Sequence, residues 1–274
     1  MYSNTTGDES VAVGYECLYS QNPASNADMG NTAVGWKALR GIGTGVGNTA
    51  IGRQAGLSMS SGTGGTFAGW NAGYSVTGAT NTCVGYQAGQ YTTALTSGSE
   101  NVLLGSNVHT SAADSTNQIV IGHQCAGNAN DSFVIGNGTT DSAIAFGATS
   151  ITAPSDIRLK EDIQDEVVGL DFINALRPVT FRWKKEKDVP EDMNAHKADS
   201  EERVMNGKYN HGFIAQEVKE VIDQHPDIKD GFDMWTEDEA DGRQRIGDGA
   251  LIPMLTKAVQ ELSAEIEKLK KEQN

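Results

Sequence analysis

Short apolar runs followed by glycine recur along the first half of the chain. Each run has two to four apolar residues, which is too few for a helix but suits a strand that ends in a turn, because glycine accepts positive φ. One such strand cannot bury its own apolar face, whereas stacked copies can. The pattern therefore predicts an all-β repeat domain, a β-roll or β-solenoid. The repeat glycines are Gly14, Gly35, Gly52, Gly69, Gly85, Gly105, Gly122 and Gly136.

Large apolar residues are sparse in these repeats, so one chain would build only a thin core. Association of several chains around an axis would let their apolar stripes face each other. A disordered Gly/Ser/Thr-rich segment is the alternative, but the regular placement of Val, Ile and Trp argues against it. Four aromatic residues directly follow a repeat glycine and could bind sugar, although stacking between repeats is favoured. They are Tyr15, Trp36, Trp70 and Tyr86.

The pattern changes after residues 147–154, where mixed helix and strand signals predict an α+β domain. Residues 165–178 place Val168, Phe172, Ile173 and Leu176 on one face of a predicted helix. The remaining predicted elements are a strand at 179–183, a charged loop at 184–208, a helix at 211–222 and a hairpin at 232–247 that turns at Asp241–Gly242.

The last segment, residues 252–273, fits about three heptads of a parallel coiled coil. A single amphipathic helix packed on its own domain is the alternative. β-Branched residues at a with Leu at d favour two strands, so the heptads predict an oligomer without fixing three chains. Positions a are Ile252, Val259 and Ile266, and positions d are Leu255, Leu262 and Leu269.

Composition divides the chain near Pro154–Ser155. Residues 1–154 hold 25 of the 32 glycines and 11 charged side chains, whereas residues 155–274 hold 46 charged side chains. We therefore predict a Gly-rich β-repeat domain at 1–146, a linker at 147–154 and a second domain at 155–274. The net charge of −15 argues against nucleic-acid binding. No apolar run predicts a membrane span, no signal peptide is visible, and Cys17, Cys83 and Cys125 fit no zinc motif or disulfide framework.

The boundary carries the motif Ser155-Asp156-Ile157-Arg158-Leu159-Lys160, followed by LRPVTFRWK at 176–184, HGFIAQEV at 211–218 and the heptads. In this order they resemble the endosialidase-type intramolecular chaperone domain found at the C-terminus of phage tailspikes and tail fibres. The N-terminal repeats resemble those of trimeric adhesin heads and phage fibre shafts.

This resemblance implies that three chaperone domains assemble, guide the upstream fibre to fold and then cut their own chains before the motif serine. The implied scissile bond joins Pro154 to Ser155, with Ser155 as nucleophile and Lys160 as general base. Serine needs such a base, and a lysine serves as one only when neutral. Asp156 and His211 match positions linked to cleavage. The alternatives are that Asp156 merely caps a turn and that His211 is merely a packed or surface histidine.

Without the resemblance, a serine and a lysine five residues apart would be a weak signal. With it, we expect a homotrimeric phage fibre segment, a single-turnover serine autoprotease that needs no cofactor or metal. It would be assembled in the host bacterial cytoplasm, incorporated in the virion and joined to a longer fibre, with a host-surface glycan or protein as possible receptor. The alternative is a bacterial cell-surface trimeric adhesin whose C-terminal domain assembles without cutting.

Overall fold

The computed structural model describes residues 2–25, 27–228, 232–239 and 241–273. They form two compact units, Met1–Lys160 and Glu161–Asn274. The first unit contains β1 (Gly7–Asp8), β2 (Val11–Val13), β3 (Ala27–Asp28), β4 (Thr32–Val34), β5 (Thr49–Ile51), β6 (Thr66–Ala68), β7 (Thr82–Val84), β8 (Val102–Leu104), β9 (Gln118–His123), β10 (Ser132–Asn137) and β11 (Asp141–Ala145).

The first unit is a β-solenoid, as the repeats predict. Eight strands, β2 and β4 to β10, pair in parallel and in register, one strand from each repeat phrase. The antiparallel strand β11 closes the C-terminal end of this sheet. Strands β1 and β3 form a separate parallel pair. The first unit is therefore a stack of turns in which equivalent residues of successive repeats lie one above another.

Each short strand contributes one inward residue to the solenoid core, and buried residues of the turns, such as Met59, complete it. In four of the eight rungs the inward residue is alanine or cysteine, as at Ala33 and Cys83. Phe67 takes this position in β6, where Gly65 replaces the buried asparagine of neighbouring repeats. A side chain on Gly65 would begin 2.7 Å from the Phe67 ring, so the two exceptions depend on each other.

Buried amides connect the turns of the solenoid. The Asn48 side chain donates to Asn31 Oδ1 at 3.1 Å and to the carbonyl of Gly62 at 2.9 Å. Its Oδ1 accepts the backbone N–H of Gly65. Asn81 and Asn101 repeat the arrangement further along the stack. Each of these asparagines thus has a hydrogen-bond partner in the adjacent turn, which favours one register of the stack.

The second unit contains three helices and two small antiparallel pairs. The helices are α1 (Leu170–Ala175), α2 (Ala215–Asp223) and α3 (Leu251–Glu272), and the strands are β12 (Val179–Phe181), β13 (Asn210–Gly212), β14 (Trp235–Glu237) and β15 (Gln244–Ile246). Strand β12 pairs with β13, and β14 pairs with β15 in the predicted hairpin. The buried core comprises Val168, Phe172, Leu176, Val218, Met234, Leu251 and Met254.

Two predicted helices are shorter than their apolar patterns indicate. The helix predicted at 165–178 spans only Leu170–Ala175, although Val168, Phe172 and Leu176 are all buried. The Glu166 carboxylate accepts the backbone N–H groups of the two residues that follow it, and the non-helical Gly169 is the N-cap residue of the helix. Pro178 disfavours a helical residue before it, which agrees with the early end.

The helix predicted at 211–222 begins at Ala215, because residues 210–212 form strand β13. Val218 is buried as expected, and Val221 and Ile222 pack partly buried against the core. Ile214 caps the start of the helix. The predicted loop at 184–208 contains a short 3-10 turn and a single β-bridge between Lys185 and Arg203.

The terminal helix α3 buries a different face from the heptad face. Leu251, Met254 and Ala258 are buried, and Glu261 Oε2 accepts the backbone N–H of Leu170 at 2.8 Å. All six heptad residues are more than one-third exposed, from Leu262 at 42% to Ile252 at 65%. The helix thus packs on its own unit and also presents an apolar seam, which is defined here as the six a and d residues.

None of the helices in the described ranges is long and apolar enough to cross a membrane.

Candidate active site

A short turn brings Ser155 and Lys160 together. Residues Ile157–Leu159 form one 3-10 turn, closed by backbone hydrogen bonds from Leu159 N–H to the Asp156 carbonyl and from Lys160 N–H to the Ile157 carbonyl. This turn reverses the chain enough for the Lys160 ammonium to donate to Ser155 Oγ at 2.7 Å. A separation of five residues is therefore sufficient for direct contact between the predicted nucleophile and the predicted base.

Asp156 begins this turn. Its carboxylate accepts the backbone N–H of Arg158 at 2.9 Å and also pairs with the Arg158 guanidinium. The Arg158 side chain, and next its backbone N–H, hold the pKa of Asp156 below its usual range. An ionised carboxylate at this position is an effective N-cap. The geometry thus gives Asp156 a capping contact that shapes the Ser155–Lys160 turn.

The segment around the serine and lysine is open to solvent. Ser155 and Lys160 are both exposed. Ile157 and Leu159, which lie on the same turn, are each 73% exposed. Water surrounding an ammonium group favours its charged form, whereas desolvation favours the neutral amine that can act as a base. The exposed turn in a single chain therefore holds the two groups in contact without a desolvated environment.

His211 lies in strand β13 of the second unit and not in the helix predicted for residues 211–222. Its Nδ1 is 3.3 Å from Oγ1 of Thr180 on the paired strand β12. Both side chains border a shallow surface depression that Pro178 and Phe213 also line. Thr180 carries no signal of its own in the sequence, because its contact with His211 depends on strand pairing between residues 31 positions apart.

The other side chains with binding chemistry are potential metal ligands, the three cysteines and the aromatic residues of the repeats. Within the described residues, no group of three or more His, Cys, Asp and Glu side chains is placed to hold a metal ion. Cys17, Cys83 and Cys125 are free and buried in the solenoid. The aromatic residues after the repeat glycines stack between repeats, with ring centroids 6.5 Å apart for Tyr15 and Trp36 and 4.8 Å apart for Trp70 and Tyr86.

Comparison with known proteins identifies the region that begins at the candidate serine. Residues 155–226, about a quarter of the chain, match the family model described as chaperone of endosialidase. The match begins at Ser155 and includes Lys160, strands β12 and β13 and helix α2. No curated protein and no solved structure matches the chain. The chain therefore carries an endosialidase-type chaperone domain, a domain of autoproteolytic chaperones, directly after a β-solenoid.

Proposed function

We propose that this chain is part of a trimeric phage tail fibre whose C-terminal chaperone drives assembly and then cuts the bond between Pro154 and Ser155. The observation that carries the proposal is the 2.7 Å contact between Lys160 Nζ and Ser155 Oγ at the first residues of the chaperone match. The turn that creates this contact lies directly after the last hydrogen-bonded segment of the solenoid. Cutting there would separate a folded fibre from the domain that assembled it.

Two exposed apolar surfaces support self-association. The first is the seam of helix α3, whose heptad spacing matches a parallel coiled coil. The second is an outer ladder on the solenoid sheet, in which one apolar residue of each strand lies in register with that of the next strand. The ladder consists of Val13, Val34, Ile51, Ala68, Val84, Leu104, Ile121 and Ile135. Association with further copies of the chain would cover each surface; the number three comes from the family resemblance.

The proposed reaction is an attack of Ser155 on the carbonyl carbon of Pro154, its own preceding residue. Lys160 in its neutral form takes the hydroxyl proton as the bond from Oγ to that carbon forms. The bond from carbon to the Ser155 nitrogen then breaks, and the lysine returns the proton to the departing amine. Water hydrolyses the resulting ester, which releases the Pro154 carboxylate and restores the serine hydroxyl.

Assembly would control this reaction by removing water from the turn. In one chain the turn is exposed, together with its apolar residues Ile157 and Leu159. Contact with neighbouring copies would cover these residues and favour the neutral amine of Lys160, so cutting would follow assembly. Since the serine–lysine contact lies within one chain, we propose that Lys160 acts on the serine of its own chain.

The proposed role of the repeats is host attachment as part of the virion. A tail fibre exposes its shaft and tip to the host surface, and a removable chaperone leaves an assembly that cannot unfold by the route by which it folded. A bacterial adhesin with a non-cleaving assembly domain remains the alternative, and it differs in one measurable property, because its chain would stay whole.

The test is expression of the wild type beside Ser155→Ala and Lys160→Arg. We expect the wild type to yield fragments of 154 and 120 residues, with Ser155 as the new N-terminus. Both variants should stay whole, because alanine has no nucleophile and arginine keeps the charge and donors of lysine but does not deprotonate. Denaturing gels and intact-mass spectrometry would measure the outcome.

Ser150→Ala is the matched control, because Ser150 is an exposed serine in the same linker, and this variant should cut normally. Cutting in Lys160→Arg would contradict the base role, and an uncut wild-type trimer would contradict autoproteolysis. Co-expression of Ser155→Ala with Lys160→Ala should give no cleavage if the lysine acts within its own chain. Light scattering on the same samples would determine the number of chains.

A further inference from the structure

The three basic side chains of residues 1–154 lie in two adjacent turns of the solenoid, each over an aromatic ring. Residues 1–154 contain only Lys37, Arg40 and Arg53 as basic residues, beside eight acidic ones. The Lys37 ammonium lies 4.3 Å from the centroid of the Trp36 ring, and the Arg40 guanidinium lies 5.3 Å from that of Tyr19. The cluster marks one part of an otherwise acidic and glycine-rich surface.

Arg53 occupies the centre of this cluster. It follows the repeat glycine of its turn, where the neighbouring turns carry Trp36 and Trp70, and its guanidinium lies 4.7 Å and 5.4 Å from the centroids of these two rings. Tyr15 and Tyr86 continue the row at its two ends. We name these five residues the aromatic row; at the ~4.8 Å spacing of parallel strands, its four steps extend about 19 Å.

Arg53 differs from the other two cations in its charge pairing. Glu16 accepts a hydrogen bond from Arg40 at 2.6 Å and lies 3.6 Å from Lys37, so one carboxylate neutralises part of both charges. Arg53 is exposed, and no carboxylate within the described ranges lies within ion-pair distance of it. Stacking between indoles accounts for the position of its guanidinium plane but leaves its positive charge without an anionic partner.

We infer that the aromatic row binds a saccharide that carries a carboxylate, with Arg53 as the anchor for the anion. Arginine donates two parallel hydrogen bonds to a carboxylate, a geometry that lysine does not reproduce. Partly exposed aromatic rings on both sides supply apolar surface for the sugar rings, as in binding sites that combine many aromatic contacts with few charged groups. Tyr15 and Tyr86, which are 63% and 47% exposed, would contact the sugars at the two ends.

The charge balance favours a sparsely charged saccharide over a nucleic acid. Nucleic acids place one negative charge on every nucleotide, and their binding requires several unpaired cations along a track. The aromatic row provides one unpaired cation on a region whose net charge is −5. An oligosaccharide with separated carboxylates fits one guanidinium flanked by rings. This inference rests on the proposed attachment role of the repeats, but not on the proposed cleavage.

The test measures binding of a hyaluronan tetrasaccharide, which carries carboxylates, beside neutral chitotetraose and oligothymidylate, by isothermal titration calorimetry on the assembled protein. We expect the acidic saccharide to bind most tightly. Arg53→Gln should lower its association constant about tenfold or more, since it removes a charge-assisted hydrogen-bonding group. Trp70→Ala should also weaken binding, whereas Arg40→Gln is the matched control and should have little effect, because Glu16 already pairs with Arg40.

Thermal unfolding of each variant would separate lost binding from lost folding, and Arg53→Lys should recover only part of the affinity. Equal affinity for the acidic and the neutral saccharide, tightest binding of oligothymidylate, no binding of the acidic saccharide, or equal affinities of Arg53→Gln and wild type would each overturn the inference. A denaturing gel of the same samples reports cleavage independently, so a failure of this site and a failure of the autoprotease are distinguishable.

Discussion

The two compact units bury apolar surface in different ways. The solenoid repeats one inward strand residue per turn, and buried asparagines such as Asn48 bond to the adjacent turn, so each rung depends on its neighbours along the chain. The second unit packs a few large side chains around Phe172 and leaves an apolar seam on helix α3 uncovered. The solenoid thus buries its apolar residues by repetition within the chain, whereas the second unit leaves the seam of helix α3 exposed in the single chain.

Replacing a stacked glycine should produce the largest effect, because it breaks the repetition itself. Gly69 has φ +136, and a Cβ there would lie 2.3 Å from the carbonyl oxygen of Gly85. We expect Gly69→Ala to lower the free energy of unfolding of the solenoid by at least about 3 kcal/mol, from strain and from displacement of the next turn. Denaturant unfolding of the uncut Ser155→Ala chain, followed by circular dichroism, would measure it.

Gly47 provides the matched control for that substitution. It also has positive φ, +67, but a Cβ there meets nothing within 4 Å. Gly47→Ala should therefore cost only about 1 kcal/mol, the usual penalty for a side chain in the left-handed region. Equal destabilisation by the two substitutions would show that backbone conformation alone, and not the close approach of the turns, determines the glycine positions.

Removing the central ring of the second unit should have the next largest effect. Phe172 is fully buried and makes edge contacts with the rings of His225 and Phe232, at centroid distances of 5.2 and 5.8 Å. Phe172→Ala should destabilise this unit by about 3–5 kcal/mol, while the solenoid transition stays in place. Val167→Ala, at a residue that is 64% exposed, is the control. Loss of both transitions together would contradict independent cores.

Removing one of the buried asparagines that connect the solenoid turns should have an intermediate effect. Asn48→Ala deletes two donated hydrogen bonds and leaves the backbone N–H of Gly65 without its acceptor. We expect a loss of about 2–3 kcal/mol, because a buried donor remains unpaired. Thr49→Ala, at the half-buried next residue, should change stability far less. Similar unfolding midpoints for the two variants would exclude the hydrogen bonds of the buried asparagines as a main source of stability.

A charge on the seam should hardly change the stability of the second unit but should prevent its assembly. Val259 is 64% exposed, so Val259→Asp should alter unfolding of an isolated unit by less than about 0.5 kcal/mol. Its oligomer should dissociate, because an a position tolerates a charge poorly in a coiled coil. Light scattering would report the mass, and Ala264→Asp, on the exposed outer side of the same helix, should assemble normally. An assembled Val259→Asp protein would place the interface elsewhere.

The smallest expected signal is the reactivity of a core cysteine. Burial raises the pKa of the Cys83 thiol to about 12. Between the ordinary thiol pKa and pH 12, the unfolded chain releases this proton while the folded state keeps it. The free energy of unfolding therefore falls as the pH rises through this range. At pH 8 we expect no alkylation of Cys83 in the native fibre and rapid alkylation in denaturant, measured by mass spectrometry.

The repeat architecture was predictable because each rung is encoded locally. Each apolar run and the repeat glycine that follows it, such as Gly52, encode the strand, its inward residue and its turn together. All eight runs form parallel strands. The start of helix α1 was not predictable from periodicity. The apolar pattern already includes Val168, but the Glu166 carboxylate accepts its N–H and Gly169 is not helical, so the helix begins only at Leu170. Strand β13 was missed because its partner β12 is distant in sequence.

The candidate site was predictable only in part for the same reason. Ser155 and Lys160 lie in one continuous motif, and the turn between them contains its own capping carboxylate, Asp156. The contact between Thr180 and His211 requires tertiary pairing and leaves no local signature. The position of Arg53 between two indoles became visible only once the turns were stacked, although the post-glycine aromatic residues indicated the row.

The antiparallel strand β11 has a consequence for the released product. Its outer edge forms a bridge in which Ala143 and Thr152 exchange backbone hydrogen bonds at 2.7 and 2.8 Å. A cut after Pro154 would leave this bridge intact two residues before the new terminus. Open strand edges recruit further strands, and natural proteins cover them to avoid aggregation. In the proposed product, this bridge would cover part of the β11 edge and so disfavour edge-to-edge association of the separated solenoids.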